Sequence, residues 1–157
     1  MSIAEEVVVL LKERGFTITC AESCTGGLVC AGLVNVAGAS EVLKSSLVTY
    51  AEEAKKELLG VQESTLERFG VVSEETAYEM AKGAACFAKA DVALSVTGIA
   101  GPGGGTSEKP VGLVCIGCYV KGGVEVRSYI FRGDRLQIRE QSVQKALELA
   151  KKCILKC

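Results

Sequence analysis

The sequence predicts an α/β protein: a three-layer α/β/α sandwich with a mixed, mostly parallel sheet and one C-terminal β-hairpin. Three observations predict it. Helix-type and strand-type apolar patterns alternate along the chain, the mark of βα units rather than of an all-helical or all-β domain. The run Asp91-Val92-Ala93-Leu94-Ser95-Val96-Thr97 is nearly all apolar, as a strand covered on both faces must be. Residues 111–120 and 124–131 read as strands, and Lys121-Gly122-Gly123 between them suits a tight hairpin.

Taken in order, residues 2–14 form a helix, because Ser2 with Glu5 makes a capping box, Val7, Val8, Leu10 and Leu11 give an apolar face, and Gly15 stops it. Residues 16–20 form the first strand. A helix over 25–36 follows, whose Gly26, Gly27 and Gly32 allow close packing on the sheet. The turn Ala37-Gly38-Ala39-Ser40 leads into a strand ending at Val48-Thr49-Tyr50. Next come a helix carrying Glu52, Glu53, Lys55 and Lys56 that closes at Gly60, and a short one from Ser64. Ser73 caps a longer helix over 74–89 with two glutamates in its first turn. After the hairpin, Asp134 caps a last helix through Ile138, Val143, Ala146, Leu147 and Leu149.

The chain of 157 residues fits a single domain spanning 1–157. Its net charge of −1, with both signs mixed along the chain, gives no basic footprint for nucleic acid, and 5% aromatics leave few platforms for stacking bases. The first residues are acidic where a signal peptide is basic, and no apolar run approaches the roughly 20 residues that span a bilayer. The expectation is a soluble cytoplasmic protein with no membrane partner.

Eight cysteines and no histidine leave little scope for a zinc site, which would need four thiolates or carboxylate help. The single C-x-x-C, Cys115-Ile116-Gly117-Cys118, lies within an expected strand, where residues three apart face opposite ways. Cys20, Cys30 and Cys86 read as small buried hydrophobes in a reduced core. Cys24, beside a serine at a strand end, stays open as a reactive group.

Ligands in open α/β sheets sit beyond the carboxyl ends of strands. Three special positions fall there: the turn Glu22-Ser23-Cys24-Thr25-Gly26-Gly27, Tyr50, and the glycine-rich residues 98–105 after Thr97. The first turn leaves helix N–H groups unpaired, available to an anion or a developing oxyanion. Ser23 or Thr25 equally fits as a plain helix cap. With no histidine, Ser-His-Asp and Cys-His activation are excluded, so a nucleophile would need Lys, Tyr or a carboxylate as base. Lys55, five residues beyond Tyr50, can face the Ser23 turn, and it takes a proton only if its pKa is lowered. Residues 98–105 form no P-loop; they read as a flexible loop or as a nest of N–H groups around a phosphate or carbonyl. Arg135 and Arg139, four apart on the last helix, are solvated charges or a cationic clamp for phosphate.

These motifs, together with Val48-Thr49-Tyr50 and Glu53-Ala54-Lys55, Gly70-Val71-Val72-Ser73-Glu74-Glu75, Glu108-Lys109-Pro110-Val111-Gly112 and Gly133-Asp134-Arg135, resemble the C-terminal domain of the competence/damage-inducible protein CinA. The resemblance runs in order over nearly the whole chain and is similar to the stand-alone form. It implies nicotinamide-nucleotide amidohydrolase activity, turning nicotinamide mononucleotide and water into nicotinic acid mononucleotide and ammonia in pyridine-nucleotide salvage. It further implies Ser23 as nucleophile, Lys55 as base with Tyr50 assisting, no metal or cofactor, and a homodimer. For the nucleotide it implies a binding set of Thr25, Gly26, Thr97, Gly98, Gly101, Gly103, Gly104, Arg135 and Arg139. The family carries Ser-Asn after the tyrosine, where this chain has Ala51-Glu52, a negative charge close to an anionic substrate. Cys24 as nucleophile in a nitrilase-like set with lysine and Glu22, a nucleotide-binding module without catalysis, and a purely structural interaction protein are the competing readings.

Overall fold

The computed structural model describes residues 1–157. The chain forms α1 (Ile3–Arg14), β1 (Ile18–Glu22), α2 (Leu28–Val34), a 3-10 turn at Ala39–Glu41, β2 (Leu43–Val48), α3 (Glu52–Leu59), α4 (Glu63–Phe69), α5 (Glu74–Ala88), β3 (Val92–Gly98), β4 (Leu113–Val120), β5 (Gly123–Ile130) and α6 (Arg135–Leu155). The sheet order is β2-β1-β3-β4-β5. β1 runs parallel to β2 and β3, and β4 runs antiparallel to β3 and β5, so four of the five strands point one way. Lys121 and Gly122 both take positive φ (47° and 98°), the two-residue hairpin turn that the sequence asked for.

The central strand β3 shows how the layers form. Val92, Leu94 and Val96 join one core with Val7, Leu11, Leu33, Ile138 and Ile154, beneath α1, α2 and α6. Ala93 faces the other side with Met80 and Ala84 of α5 and Leu59 of α3. On that same side Ser95 donates its hydroxyl to Ala77 O of α5 at 2.6 Å. Alternation along one buried strand thus separates the two helical layers. No helix is long and apolar enough to cross a membrane.

Four details depart from the sequence reading. The first strand starts and ends two residues later than expected, so Glu22 is its last residue and is fully buried. The following helix starts at Leu28 rather than residue 25, because Gly26 and Gly27 adopt φ of 58° and 104°, outside the helical region. Gly32 packs on α6 rather than on the sheet: a Cβ there would lie 3.7 Å from Val143 Cγ1 and 3.8 Å from Leu147 Cδ1. Cys86 is exposed and Cys30 only half-buried. The inward stripe of α5 is Ala77, Met80, Ala81, Ala84 and Ala85, and Cys86 falls one step beyond it. Cys118 joins the α6-side core and Cys115 the α5-side core, so the C-x-x-C thiols diverge as the strand geometry requires.

Candidate active site

Parallel register brings the site together. Glu22 lies opposite Val48 on β2 and Val96 on β3, so the residues just past these strand ends become neighbours. Thr49 N–H donates to Glu22 O at 2.8 Å, and Ser23 N–H donates to Val96 O at 3.0 Å. Beyond these ends lies a cavity of about 300 Å³, within the range of small-molecule sites. Ser23, Cys24, Tyr50, Glu52, Lys55, Thr97, Gly98, Gly101, Gly103, Gly104 and Arg135 line it, together with Val71, Val72, Ile99 and Ala100.

Lys55 is a buried charge at the cavity wall. It projects inward from α3 and is 1% exposed. Its Nζ lies 3.1 Å from Ser23 Oγ, 2.6 Å from Thr49 O and 3.3 Å from Tyr50 O. Burial pushes its pKa below the usual 10.5, with the Cys24 and Glu52 side chains pulling it back up. A neutral amine has two N–H donors and one lone pair. Two carbonyls and one hydroxyl are therefore the partner set that leaves the lone pair to the Ser23 proton. Cys24 has the opposite character. Burial pushes its thiol up to about 11, against its own backbone N–H and the nearby Arg139 and Lys55 charges. It carries almost no thiolate at neutral pH.

The turn itself is held by an internal anion. Helix α2 presents its first N–H groups to the Glu22 carboxylate: Gly27 and Val29 donate to Oε1 at 3.1 and 2.9 Å, and Cys30 donates to Oε2 at 3.0 Å. The expectation that these donors stand open to a ligand is corrected, because a side chain of the protein already fills that role. Gly26 N–H is engaged as well, on Ser23 O at 3.0 Å. Of the turn, the N–H groups of Cys24 and Thr25 donate to no other residue.

Opposite the turn, the N–H groups of Ala100, Gly101, Gly103 and Gly104 likewise donate to nothing in the protein. Two of these residues must be glycine. Gly101 has φ 79° and a Cβ there would sit 2.4 Å from Val111 Cγ1, while Gly104 has φ 87°. Arg135 bridges this loop to the other wall, donating from Nη1 to Gly101 O at 2.7 Å and from Nη2 to the Tyr50 hydroxyl at 3.2 Å. Thr97 donates its hydroxyl to Val71 O at 2.8 Å, tying the segment before α5 to the end of β3.

Not every residue singled out in the sequence reaches the cavity. Thr25 is fully buried, Gly26 lies on the outside of the turn, and neither lines the cavity. Arg139 stands behind the turn, donating from Nε to Cys24 O at 2.8 Å and from Nη2 to Thr25 O at 3.2 Å. Tyr50 contributes its carbonyl to Lys55 and its hydroxyl to Arg135. Glu22 is expected from the sequence only beside a Cys24 nucleophile, and its hold on the turn was missed. Its signal was present: a carboxylate closing an otherwise apolar strand, directly before a helix with no acidic residue in its first turn. No three His, Cys, Asp or Glu side chains converge to hold a metal ion.

Fold and site together define an α/β/α domain in which a buried lysine meets a half-buried serine at the carboxyl ends of the parallel strands. The model of the CinA C-terminal domain matches residues 1–154, and the chain belongs to that family. It is 52% identical to a CinA-like protein of Kosmotoga olearia over 154 residues, which is 98% of this chain and 37% of that protein. It is 51% identical over 154 residues to a putative competence-damage inducible protein of Caldicellulosiruptor bescii, 98% of this chain and 38% of that one. The chain thus spans little more than a third of these relatives. Among solved structures it is similar to the competence/damage inducible protein CihA from Agrobacterium tumefaciens, with 42% identity, a TM-score of 0.92, and 94% and 90% of the two chains covered. A CinA superfamily protein from Klebsiella pneumoniae superposes with a TM-score of 0.95 at 33% identity, covering 99% of this chain and 97% of its own.

Proposed function

We propose that the protein hydrolyses the carboxamide of nicotinamide mononucleotide to nicotinic acid mononucleotide and ammonia, with Ser23 as nucleophile and Lys55 as base. The observation that carries this reading is the 3.1 Å approach of Lys55 Nζ to Ser23 Oγ at a lysine whose pKa burial has lowered. A neutral lysine beside a hydroxyl is an activated nucleophile without histidine.

In this mechanism Lys55 Nζ takes the Ser23 proton as Oγ bonds to the carboxamide carbon. The Cys24 N–H, which donates to no other residue and sits on a cavity-lining residue, meets the oxyanion. The C–N bond then breaks as Lys55 returns its proton to the departing nitrogen, releasing ammonia and leaving an ester on Ser23. Water attacks that ester, giving one proton to Lys55, and the acid leaves as Ser23 recovers its hydrogen. Arg135 and the unpaired N–H groups of residues 100–104 suit the nucleotide's phosphate.

The test is ammonia release from nicotinamide mononucleotide by the purified protein. A second reading, a pyridine-nucleotide-binding module without catalysis, draws on Glu52, whose negative charge stands in the cavity wall. It predicts a nucleotide-dependent rise in Tm with no ammonia, and that pair of results would replace the first reading.

A further inference from the structure

The Ser23 turn is gripped from two sides by charged side chains that do not line the cavity. From β1, the fully buried Glu22 takes the N–H groups of Gly27, Val29 and Cys30. From α6, 115 residues away in sequence from Cys24, Arg139 takes the carbonyls of Cys24 and Thr25. One carboxylate therefore holds the donors of this corner and one guanidinium holds its acceptors.

The two carbonyls that Arg139 holds belong to the peptide planes whose other ends are the N–H groups of Thr25 and Gly26. A trans peptide points its C=O and N–H in opposite directions, so fixing the carbonyls fixes where those N–H groups aim. The Gly26 N–H closes the turn onto Ser23 O at 3.0 Å, which in turn orients the plane carrying the Cys24 N–H. The fit is tight: a Cβ on Gly26 would lie 3.3 Å from Arg139 Nη2, at a residue whose φ is 58°. A guanidinium presents parallel donors in a rigid fork and so reaches both carbonyls at once, which a lysine ammonium on a flexible stem does not.

We infer that Arg139 is a positioning residue, with Glu22 as its counterpart: together they lock the residue 23–27 turn so that the Ser23 hydroxyl stays on Lys55 and the Cys24 N–H stays on the oxyanion. The assignment separates Arg139 from Arg135, one turn earlier on the same helix, which lines the cavity. The catalytic part of this inference rests on the amidohydrolase reading; the mechanical part does not.

Two measurements on Arg139→Ala test it, one for each part. Backbone hydrogen exchange at residues 24–27 is expected to speed up by about tenfold or more, with exchange in the sheet unchanged. With nicotinamide mononucleotide, kcat is expected to fall about 100-fold while KM stays within about twofold, because a displaced nucleophile loses rate rather than substrate binding. Added guanidinium restores part of kcat. Unchanged exchange in the turn overturns the clamp, and a raised KM with normal kcat makes Arg139 a substrate ligand instead. If the wild-type protein releases no ammonia, the amidohydrolase reading fails by itself and the exchange result alone decides the clamp. Should Arg139→Ala fail to fold, Arg139→Lys keeps the charge, removes the fork, and is expected to show the same two changes.

Discussion

Lys55 Nζ and Ser23 Oγ stand 3.1 Å apart although 32 residues separate them in the chain. The contact exists because β1 and β2 are parallel neighbours: the turn after β1 and the helix after β2 open on the same edge of the sheet. Lys55 is held there by the carbonyls of Thr49 and Tyr50, two of the three residues that link β2 to α3. The strand ends thus fix the base, and the base faces the hydroxyl.

Ser23 and Cys24 are adjacent, and substitution separates them. Ser23→Ala is expected to lower kcat by at least about 10³-fold while Tm stays near the wild-type value. Cys24→Ala is expected to retain activity, because a thiol with a pKa of about 11 is thiolate in only about one molecule in 10⁴ at pH 7. Steady-state ammonia release on both variants checks this, and loss of activity in Cys24→Ala alone would reverse the assignment.

The pH profile follows from Lys55. The base works only when neutral, so kcat/KM rises with pH through the Lys55 pKa, which burial holds below 10.5. Glu52 favours the ammonium and raises that pKa. Glu52→Gln removes the negative charge and is expected to move the rising limb to lower pH. A limb that stays put or moves upward in the variant contradicts Lys55 as the titrating base.

Glu22 is a prediction about stability. Glu22→Ala strips the acceptors from three N–H groups at the start of α2 and is expected to cost about 3–5 kcal/mol in denaturant unfolding. Glu22→Gln keeps one acceptor oxygen and is expected to lose less. Equal stability of Glu22→Ala and wild type would mean that the carboxylate does not hold the helix.

Gly83 shows how closely α3 and α5 approach. A Cβ at Gly83 would lie 1.8 Å from Leu59 O, a backbone atom that cannot rotate away. Gly83→Ala must push α3 off α5, with an expected cost of about 1–3 kcal/mol or more. Because α3 carries Lys55, ammonia release is expected to fall with stability. A variant of unchanged Tm would show that the helices part without strain.

Much of this protein was legible locally. The capping box at Ser2 with Glu5 and the cap at Asp134 are short-range hydrogen-bond patterns, and both form, with Gln137 completing a box at the second. The nearly all-apolar run of residues 91–97 foretold a strand covered on both faces, and Lys121-Gly122-Gly123 the hairpin. The glycines of residues 98–105 and the lysine after Tyr50 pointed to one edge of a sheet, as the cavity lining bears out for Gly98, Gly101, Gly103, Gly104 and Lys55. The helix after Ser23 was drawn too long, because the pattern of apolar residues does not report the positive φ of Gly26 and Gly27.

The sequence by itself determined the elements, their order and the residue types available for chemistry, since those depend on interactions within a few residues of one another. It could not decide which charge serves which group. Arg135 and Arg139 lie one turn apart on one helix, yet one reaches across the cavity to Tyr50 and the other grips the turn behind it. Glu22, Lys55 and Arg139 acquire their roles only where parallel strand ends and the start of α6 converge. That convergence is set by packing between segments 32 to 115 residues apart, and no local pattern encodes a distance across the fold.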